Sequence, residues 1–318
     1  MKKPKPKTLE QLIYTYSDFL KKRFGRKVFR VGLSIGEICP HRLEKGGCIF
    51  CNPETFTGSY QAQNLSVKEQ MSEIIPQIKK NCGDVALLAY FQDETSTAGN
   101  LQKLKEKYLA ALDHPEMVGL VVSTRSDYIN SEIIDLLKSL HVPVTVELGL
   151  QSIHNRSLDL LNRGHDFAQV DEAIKLCGEA GLEVGVHLIL GIPGETKDDV
   201  LETINYISGN SYINQVKFHN LVCYQKTVLA HLVKRNNWKI YTIDEYIPLL
   251  ANAIAHLRKD IVISRLFTSN IKRNQIAIGE YTGNKTKWMA QLRNYMNENK
   301  IYQGSKLEEK DDTTITSS

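Results

Sequence analysis

The residues with the clearest chemical potential are three cysteines within thirteen positions, Cys39, Cys48 and Cys51. Their spacing, C-x8-C-x2-C with a Gly-Gly pair before the second cysteine, lets the thiols converge on one centre, and thiolates are ligands of zinc and of iron–sulfur clusters. A closed zinc site takes four ligands, and His41 is the candidate for the fourth. Three unrelated loop cysteines are the alternative without metal chemistry. Because the chain has no second C-x2-C or H-x3-H pair, the pattern favours a cluster with one iron left open.

The composition is typical of a globular protein without a disulfide scaffold or a membrane-spanning segment. The chain has 318 residues, of which 42% are hydrophobic and 24% charged, as in soluble domains. No apolar run approaches the ~20 residues of a membrane span, and the lysine-rich start lacks the apolar segment of a signal peptide. We therefore expect a cytoplasmic protein with no membrane contact. The other cysteines, Cys82, Cys177 and Cys223, are expected to pack as small buried groups.

The net charge of +4 conceals an asymmetry along the chain. The first 30 residues carry ten Lys and Arg against two acidic residues, so this end holds +8 and the rest of the chain −4. A polyanion is therefore expected to bind at the N-terminal end, and a solvated basic tail is the alternative. Residues 306–318 are polar and are expected to be disordered.

The cysteine loop must be held by regular elements, and the pattern indicates which. Apolar residues recur at helical steps from Leu9 to Phe24, which predicts one helix opened by Thr8 with lysines on its other face. Strands and helices then alternate, with strands expected at 28–35, 85–91, 118–123, 144–150, 183–190 and 215–221. Such alternation predicts an α/β fold with a parallel sheet, either doubly wound or curled into a full or partial barrel. Residues 222–305 break the pattern, with helices expected at 241–257 and 285–297 and a β-like run at 261–266.

Polar residues follow every expected strand. The cysteine loop follows the first strand, and the later strand ends carry Gln92 to Thr97, Ser123 to Asp127, Glu147 to Ser152, Gly191 to Glu195 and Lys217 to Asn220. Helix capping is the alternative role for Thr95, Ser152 and Thr196. Because the carboxyl ends of parallel strands share one edge, these groups are expected to line a common site. Arg163 and His165 lie close enough to Gln151 in the chain to reach the same ligand.

The motifs resemble those of a known family. A first strand that ends in three clustered cysteines, the last two separated by Ile49 and the aromatic Phe50, resembles the radical S-adenosylmethionine (SAM) superfamily. The segments 147–152, 162–165 and 191–195 are similar to the branch that contains the Elongator catalytic subunit and the oxygen-independent coproporphyrinogen oxidases. Within that branch the chain most resembles the YhcC/YtqA group, which shares Phe91-Gln92, Thr124-Arg125 and Val216-Lys217.

The resemblance implies a fold and a domain division. It implies a partial (βα)6 TIM-like barrel over residues 28–221. A basic helical element at 1–27 would precede the barrel, and an α+β appendage at 222–305 would close it. Two departures from the group stand out: the cysteine loop is short and carries His41, and Gln225 to Val228 replace the usual Lys-Gly-Thr-Pro.

The resemblance also implies a cofactor site. Cys39, Cys48 and Cys51 would hold a 4Fe-4S cluster that binds SAM at its open iron and cleaves it to a 5′-deoxyadenosyl radical. The residues implied to contact SAM are Asp93, Glu94 and Thr95 at the methionine amino group, Gln151 and Arg163 at the ribose and carboxylate, Ile189 and Gly191 at the adenine, and also Arg125 and Glu147. The alternative for Arg125 and Glu147 is a pair with each other inside the barrel. The roles of His187, Lys217 and His219 are open.

The substrate is indicated less directly. The Elongator-like motifs and the basic first helix favour tRNA, with the side chain of the wobble uridine as the group modified. One alternative is a small-molecule substrate such as a tetrapyrrole, and another is a non-catalytic, zinc-stabilised nucleic-acid-binding protein. The partners implied are an electron donor of the flavodoxin or ferredoxin type, tRNA, and a methyltransferase that acts next in the pathway.

Overall fold

A computed structural model describes residues 5–61, 64–268, 272–279 and 284–307. Positions 1–4 lie outside these ranges, as do residues 308–318 of the tail expected to be disordered over 306–318. Its first two residues, Lys306 and Leu307, are instead helical. The strands are β1 Val28–Leu33, β2 Ala86–Phe91, β3 Met117–Thr124, β4 Val144–Gln151, β5 Glu183–Leu190, β6 Ile213–Asn220, β7 Cys223–Tyr224, β8 Val262–Arg265 and β9 Ile276–Ile278. The α-helices are α1 Leu9–Leu12, α2 Tyr16–Phe24, α3 Pro40–Lys45, α4 Val67–Cys82, α5 Leu101–Leu112, α6 Ser131–Lys138, α7 Asn155–Leu160, α8 Phe167–Glu179, α9 Lys197–Gly209, α10 Val228–Asn236, α11 Ile243–Ala255 and α12 Lys285–Glu298.

The main sheet is parallel and curls into a half-barrel. Its strand order is β1-β2-β3-β4-β5-β6-β8, so each strand from β1 to β6 pairs with the next along the chain. This confirms the predicted partial barrel. Helices α4, α5, α6, α8 and α9 form the crossovers, and each opens with a side-chain cap: Ser66, Asn100, Asn130, Asp166 and Thr196. Such caps satisfy a backbone donor at the helix start.

The sheet has one strand more than the six predicted. Strand β8 pairs in parallel with β6, with Gln215 opposite Val262, and α11 supplies the crossover that parallel pairing needs. The β-like run was recognised in the sequence, but α10 and the small β7–β9 pair interrupt the alternation before it. The domain boundary at residue 221 stays a prediction.

The single N-terminal helix predicted from Leu9 to Phe24 is wrong, because the segment forms two helices. Between α1 and α2 the backbone is extended at Ile13 and Thr15, and the Tyr14 carbonyl accepts a hydrogen bond from the Ile263 N–H of β8 (2.9 Å). The Thr15 hydroxyl then caps α2 by accepting from the Asp18 N–H (3.1 Å). Pairing with a sheet edge therefore replaces a helical turn that periodicity alone would favour.

Helix α2 packs at the opening of the half-barrel. It contacts both β1 and β8, the two edge strands. Its Leu20 lies in one apolar cluster with Leu88, Tyr90 and Val121 of β2 and β3. Tyr90 also lines the cavity described below, and Leu88 shares its face because side chains alternate along a strand. The amphipathic helix thus buries its apolar face against the inside of the curl.

The two faces of the sheet differ in chemistry. The outer face carries Val31, Leu87, Val122, Val146, Val186 and Val216, which join the main apolar core together with residues of the surrounding helices. The inner face carries the apolar Leu88 and Val121 under α2, but most of its large side chains are polar. These are Arg30, Tyr90, Glu147, His187, Lys217, His219 and Arg265. The main apolar core therefore lies outside the curl, and the polar side chains of the strands point to its inside. Within the described residues, no helix is both long and apolar enough to cross a bilayer.

Candidate active site inside the half-barrel

A cavity of about 650 Å³ opens at the carboxyl ends of the strands. All three clustered cysteines line it, together with residues from the ends of β2 to β6 and from β8. Its volume lies within the range of ~300–1,000 Å³ that is common for small-molecule and cofactor sites. The ends of β2 to β6 thus share one cavity with the cysteines, as the sequence predicts, although not every strand-end residue lines it. Those that do not include Asp93, Thr95, Glu147, Gly191 and Lys217.

The cysteine loop is fixed by contacts to the segment that follows α7. Cys39 precedes α3, and Gly46 and Gly47 adopt left-handed φ values of +76° and +77° that favour glycine. His41 is buried, and its Nε2 donates to the Asn162 carbonyl (2.7 Å). Asn162 in turn donates from Nδ2 to the Gly47 carbonyl (2.7 Å). His41 therefore anchors the loop through the ring nitrogen that faces Asn162.

Each cysteine sulfur accepts a hydrogen bond from a nearby side chain. Thr95 Oγ1 donates to Cys39 Sγ (3.2 Å), Arg163 Nη1 to Cys48 Sγ (3.1 Å) and Arg42 Nη2 to Cys51 Sγ (3.5 Å). Donors of this kind stabilise thiolates, which are the ligand form of cysteine. The residues present therefore fit a metal group bound by three sulfurs.

The surroundings of Cys48 and Cys51 shift the pKa values of their thiols in opposite directions. Burial raises the pKa of the Cys48 thiol, but Arg163, a hydrogen bond with His41 and the charge of Arg125 together lower it to about 7. Burial and the neighbouring Cys48 raise the pKa of Cys51 to about 12. A positively charged group bound between the sulfurs would therefore favour deprotonation of Cys51.

The spacing of the sulfurs bears on the zinc alternative. A tetrahedral zinc ion with Zn–S bonds of ~2.3 Å places its sulfur ligands about 3.8 Å apart. In the part of the chain that the structure describes, the only group of three His, Cys, Asp or Glu ligand atoms within 4.8 Å of one another is His154, Asp199 and Glu202. The three cysteine sulfurs therefore do not all lie within 4.8 Å of one another, and a single zinc ion would require them to move closer.

The segment after β2 supports the loop rather than presenting free side chains. Glu94, with a left-handed φ of +52°, accepts from Arg42 Nη2 (2.8 Å) and from the Cys39 N–H (3.0 Å). Thr95 donates to Cys39 as described. Asp93 is buried, and burial raises its pKa to about 6. Among these three residues only Glu94 lines the cavity.

The expected ribose and carboxylate contacts do line the cavity. Gln151 adopts a left-handed φ of +63° at the end of β4, and Arg163 Nη2 donates to the Gly149 carbonyl (3.0 Å). Ile189 and Arg125 also face the cavity. Gly191 does not line the cavity, and a Cβ atom at this position would point toward the ring of Tyr241.

The pair considered for Arg125 and Glu147 is not formed. Arg125 Nη2 instead donates to Asp127 (2.9 Å) and to the Arg163 carbonyl (2.7 Å). It thereby ties the end of β3 to the Arg163 segment. Glu147 lies deeper, inside the curl, and does not line the cavity.

Glu147 is the centre of a buried polar network across five strands. Its Oε2 accepts from Tyr90 (2.8 Å), from His187 Nε2 (2.8 Å) and from Lys217. Arg30 Nη1 lies 3.7 Å from Oε1. Lys217 also donates to the Tyr90 hydroxyl (2.6 Å) and is itself fully buried. One carboxylate thus orients side chains from β1, β2, β5 and β6.

The charges of this network follow from burial and proximity. Burial raises the pKa of Glu147, but Lys217, His187 and Arg30 outweigh it and hold that pKa well below its usual range. Burial and the adjacent Lys217 lower the pKa of His187 to about 4, so the imidazole is neutral at pH 7. Burial lowers the pKa of Lys217 to about 7 despite the attraction of Glu147. Glu147 is therefore the fixed negative charge of the site.

Three polar residues of the inner face, Arg30, Tyr90 and Arg265, were not predicted from the sequence. The polar side chains of this face are called the inner layer below. The signal for these three residues is positional, since each is polar within a strand that otherwise reads as apolar, two residues from another inward-facing side chain. The sequence places His187, Lys217 and His219 on the strands near the site but does not indicate their roles. His187 and His219 have their ring centroids 5.3 Å apart and both line the cavity.

Comparison with known proteins agrees with this geometry. A family model described as the Radical SAM superfamily matches residues 33–207, and one described as the Radical_SAM C-terminal domain matches residues 213–298. The protein YhcC of Escherichia coli (strain K12) is 31% identical over 308 residues, which cover 94% of this chain and 96% of YhcC.

Two further relatives are similar over part of their length. The tRNA uridine(34) acetyltransferase of Methanocaldococcus infernus is 31% identical over 151 residues, 47% of this chain and 28% of that enzyme. The solved structure of Methanocaldococcus infernus Elp3, with an N-terminal deletion, superposes with a TM-score of 0.70 at 22% identity. The superposition covers 87% of this chain and 64% of that structure, so this chain spans less than two thirds of it and the likeness is one of fold.

Replacing the central carboxylate tests the network. Glu147→Gln should lower the free energy of unfolding by about 3–5 kcal/mol, because Lys217 and Arg30 lose their buried counter-charge. Urea denaturation under anaerobic conditions measures the change. Asp113→Asn is the control, since its pair with Lys68 is exposed, and it should leave stability near the wild-type value.

The double variant Glu147→Gln/Lys217→Met should recover part of the loss, because one unpaired cation is removed with the carboxylate. A Glu147→Gln variant as stable as Asp113→Asn would contradict the assignment of Glu147 as the organising charge.

Proposed function

Because the chain belongs to the radical SAM superfamily, we propose that it is a tRNA-modifying enzyme that acts on the side chain of the wobble uridine. Enzymes of this superfamily use a 4Fe-4S cluster and SAM. When bound, this pair supplies a 5′-deoxyadenosyl radical that abstracts hydrogen from an unactivated C–H bond. The observation that carries the proposal is the cavity itself, which is lined by three cysteines whose sulfurs each accept a hydrogen bond.

Different residues are assigned to the cluster and to SAM. We assign Cys39, Cys48 and Cys51 to the cluster, with Thr95, Arg42 and Arg163 as donors to their sulfurs. Glu94, Gln151, Arg125 and Ile189 line the cavity and are assigned to SAM. Asp93 and Gly191 would act through backbone position. With SAM bound, these side chains would help to exclude water from the reacting centre.

The tRNA assignment rests on relatives and on shape. A tRNA uridine(34) acetyltransferase matches this chain over 151 residues, which supports a uridine in tRNA as the substrate class. A single-stranded anticodon can present a splayed-out base to a cavity, as sequence-specific RNA recognition commonly requires. An electron donor of the flavodoxin or ferredoxin type would reduce the cluster. A methyltransferase that uses the product is the proposed next enzyme.

The position of the basic helix sharpens how tRNA would bind. Arg23 of α2 pairs with Glu183, the first residue of β5, so this end of α2 lies at the amino ends of the strands. The exposed Lys21, Lys22 and Arg26 are its neighbours. Strands of about eight residues separate the two ends by roughly 25 Å. The basic residues would thus contact phosphates remote from the base in the cavity.

Removal of the thiols tests the cluster. In protein purified without oxygen, Cys39→Ala, Cys48→Ala and Cys51→Ala should each lose most of the absorbance near ~400 nm that a 4Fe-4S cluster gives. Cys82→Ala, outside the loop, should retain it. A colourless wild-type protein with one equivalent of zinc would instead establish the zinc-stabilised alternative.

Deletion of the gene tests the substrate. Mass spectrometry of tRNA nucleosides from the deletion strain should show loss of one modified uridine and accumulation of its precursor. Plasmid-borne wild type should restore it, and Cys48→Ala should not. An unchanged nucleoside profile would reject tRNA and leave a small-molecule substrate as the remaining candidate.

Neutralising the basic helix tests the electrostatic contribution. The variant Lys21→Gln/Lys22→Gln/Arg26→Gln should weaken tRNA binding and reduce the slope of log K against log salt by about 2 to 3, since each lost phosphate contact removes ~0.7–0.9. The control Lys103→Gln/Lys138→Gln/Lys175→Gln removes three exposed charges from the outer helices. Equal salt slopes in the two triple variants would show that α2 does not contact tRNA.

A further inference from the structure

The inner layer of the half-barrel holds more positive than negative charge. Arg30, Lys217 and Arg265 face the single carboxylate of Glu147. Lys217 and Arg30 lie beside that carboxylate, whereas Arg265 takes part in none of the ion pairs formed among the described residues. Burying unpaired charge costs several kcal/mol in order of magnitude, so such a charge is normally matched by a ligand or partner.

Arg265 stands where a ligand can reach it. It is half-buried at the end of β8 and lines the cavity. Its guanidinium makes no hydrogen bond with the described part of the chain. The charged groups near it are the Glu147 carboxylate and the cations Arg30, Lys217 and Lys285. A planar guanidinium with free N–H groups is suited to bidentate contact with a carboxylate or phosphate.

Two neighbours at the end of β6 also have unused polar atoms. His219 Nε2 and Asn220 Nδ2 are buried without a hydrogen-bond partner in the described structure, and both residues line the cavity. Asn220 is held in place because its Oδ1 accepts from the Thr268 N–H (2.9 Å). Buried polar groups of this kind are usually satisfied by ligand or water. Arg265, His219 and Asn220 therefore form a set of donors on one wall of the cavity.

This set is separate from the one that serves the cysteines. The side chains that donate to the sulfurs are Thr95, Arg42 and Arg163. Within the described structure, His219, Asn220 and Arg265 form no hydrogen bond or ion pair with those three residues. The cavity thus has a sulfur-lined end and a cationic wall formed by β6 and β8.

We propose that Arg265, with His219 and Asn220, forms an anion-binding subsite that holds a carboxylate or phosphate group of the substrate. The inference rests on the proposed function, since it assigns part of the same substrate. The anion neutralises the excess positive charge of the inner layer and fixes the substrate against β6 and β8. Arg265 is a binding and specificity residue, and the reacting carbon is held between the two ends of the cavity.

Kinetics with tRNA from the deletion strain test the subsite. Arg265→Gln should raise KM for this tRNA about 10- to 100-fold, as expected for loss of a charged hydrogen bond. Arg265→Lys, which keeps the charge but not the planar fork, should show a smaller increase. The dissociation constant for SAM should be unchanged in both. Arg156→Gln, which changes an exposed arginine on α7, is the matched control and should behave as wild type.

Chemical modification tests the same subsite without tRNA. Reconstituted protein is treated with phenylglyoxal, which reacts with arginine, and the modified positions are mapped by mass spectrometry. Inorganic phosphate or acetate should protect Arg265 and leave the exposed Arg26 reactive. Stronger protection by phosphate indicates a nucleotide phosphate, and stronger protection by acetate indicates a carboxylate on the substrate side chain.

The outcomes separate this inference from the proposed function. Protection of Arg265 together with an unchanged nucleoside profile in the deletion strain would reject tRNA as substrate and retain the anion subsite. A missing nucleoside, with no protection by either anion and an unaltered KM in Arg265→Gln, would retain tRNA and overturn the subsite. Protection of Arg265 by SAM alone would assign this arginine to the cofactor and also overturn the proposal.

Discussion

The Glu147 carboxylate is the interaction on which the inside of this protein depends. It is the one buried anion of the inner layer described here, and it binds or faces side chains from β1, β2, β5 and β6. A carboxylate removed from water is stable only when several donors surround it, and each donor is in turn fixed by it. The network therefore sets the positions of Tyr90 and His187, which line the cavity, and of the buried Lys217.

Separation of the apolar core from the site follows from the alternation of side chains along the strands. Valine, leucine and isoleucine on the outer face pack against the helices, so the stability of the sheet does not require an apolar interior. The inside can then hold charge and open space. Helix α2 packs Leu20 against Leu88 and Val121 on the inner face, and the cavity opens at the carboxyl ends of the strands.

The cavity has two chemically different ends. At one, three sulfurs accept hydrogen bonds from Thr95, Arg42 and Arg163, which suits a metal cluster bound by thiolates. At the other, Arg265 of β8 carries a charge that no described carboxylate pairs with. Because β8 is the strand that sequence alternation did not place in the sheet, the wall opposite the cysteines became visible only in the folded chain.

The sequence by itself determined the class of chemistry and most of the elements. Cysteine spacing is local, and the strand and helix periods from residue 28 to 221 are uninterrupted, so both could be read from residue order. The tertiary structure decided what depends on contacts distant in sequence. These are the break at Ile13 to Thr15, which pairs with Ile263, the hydrogen bond of Arg125 to the Arg163 carbonyl in place of a pair with Glu147, and the seventh strand. It also placed the basic end of α2 away from the cavity, beside Glu183. Burial and pairing energies act between residues that only folding brings together, and residue types along the chain do not reveal which of several possible partners they will meet.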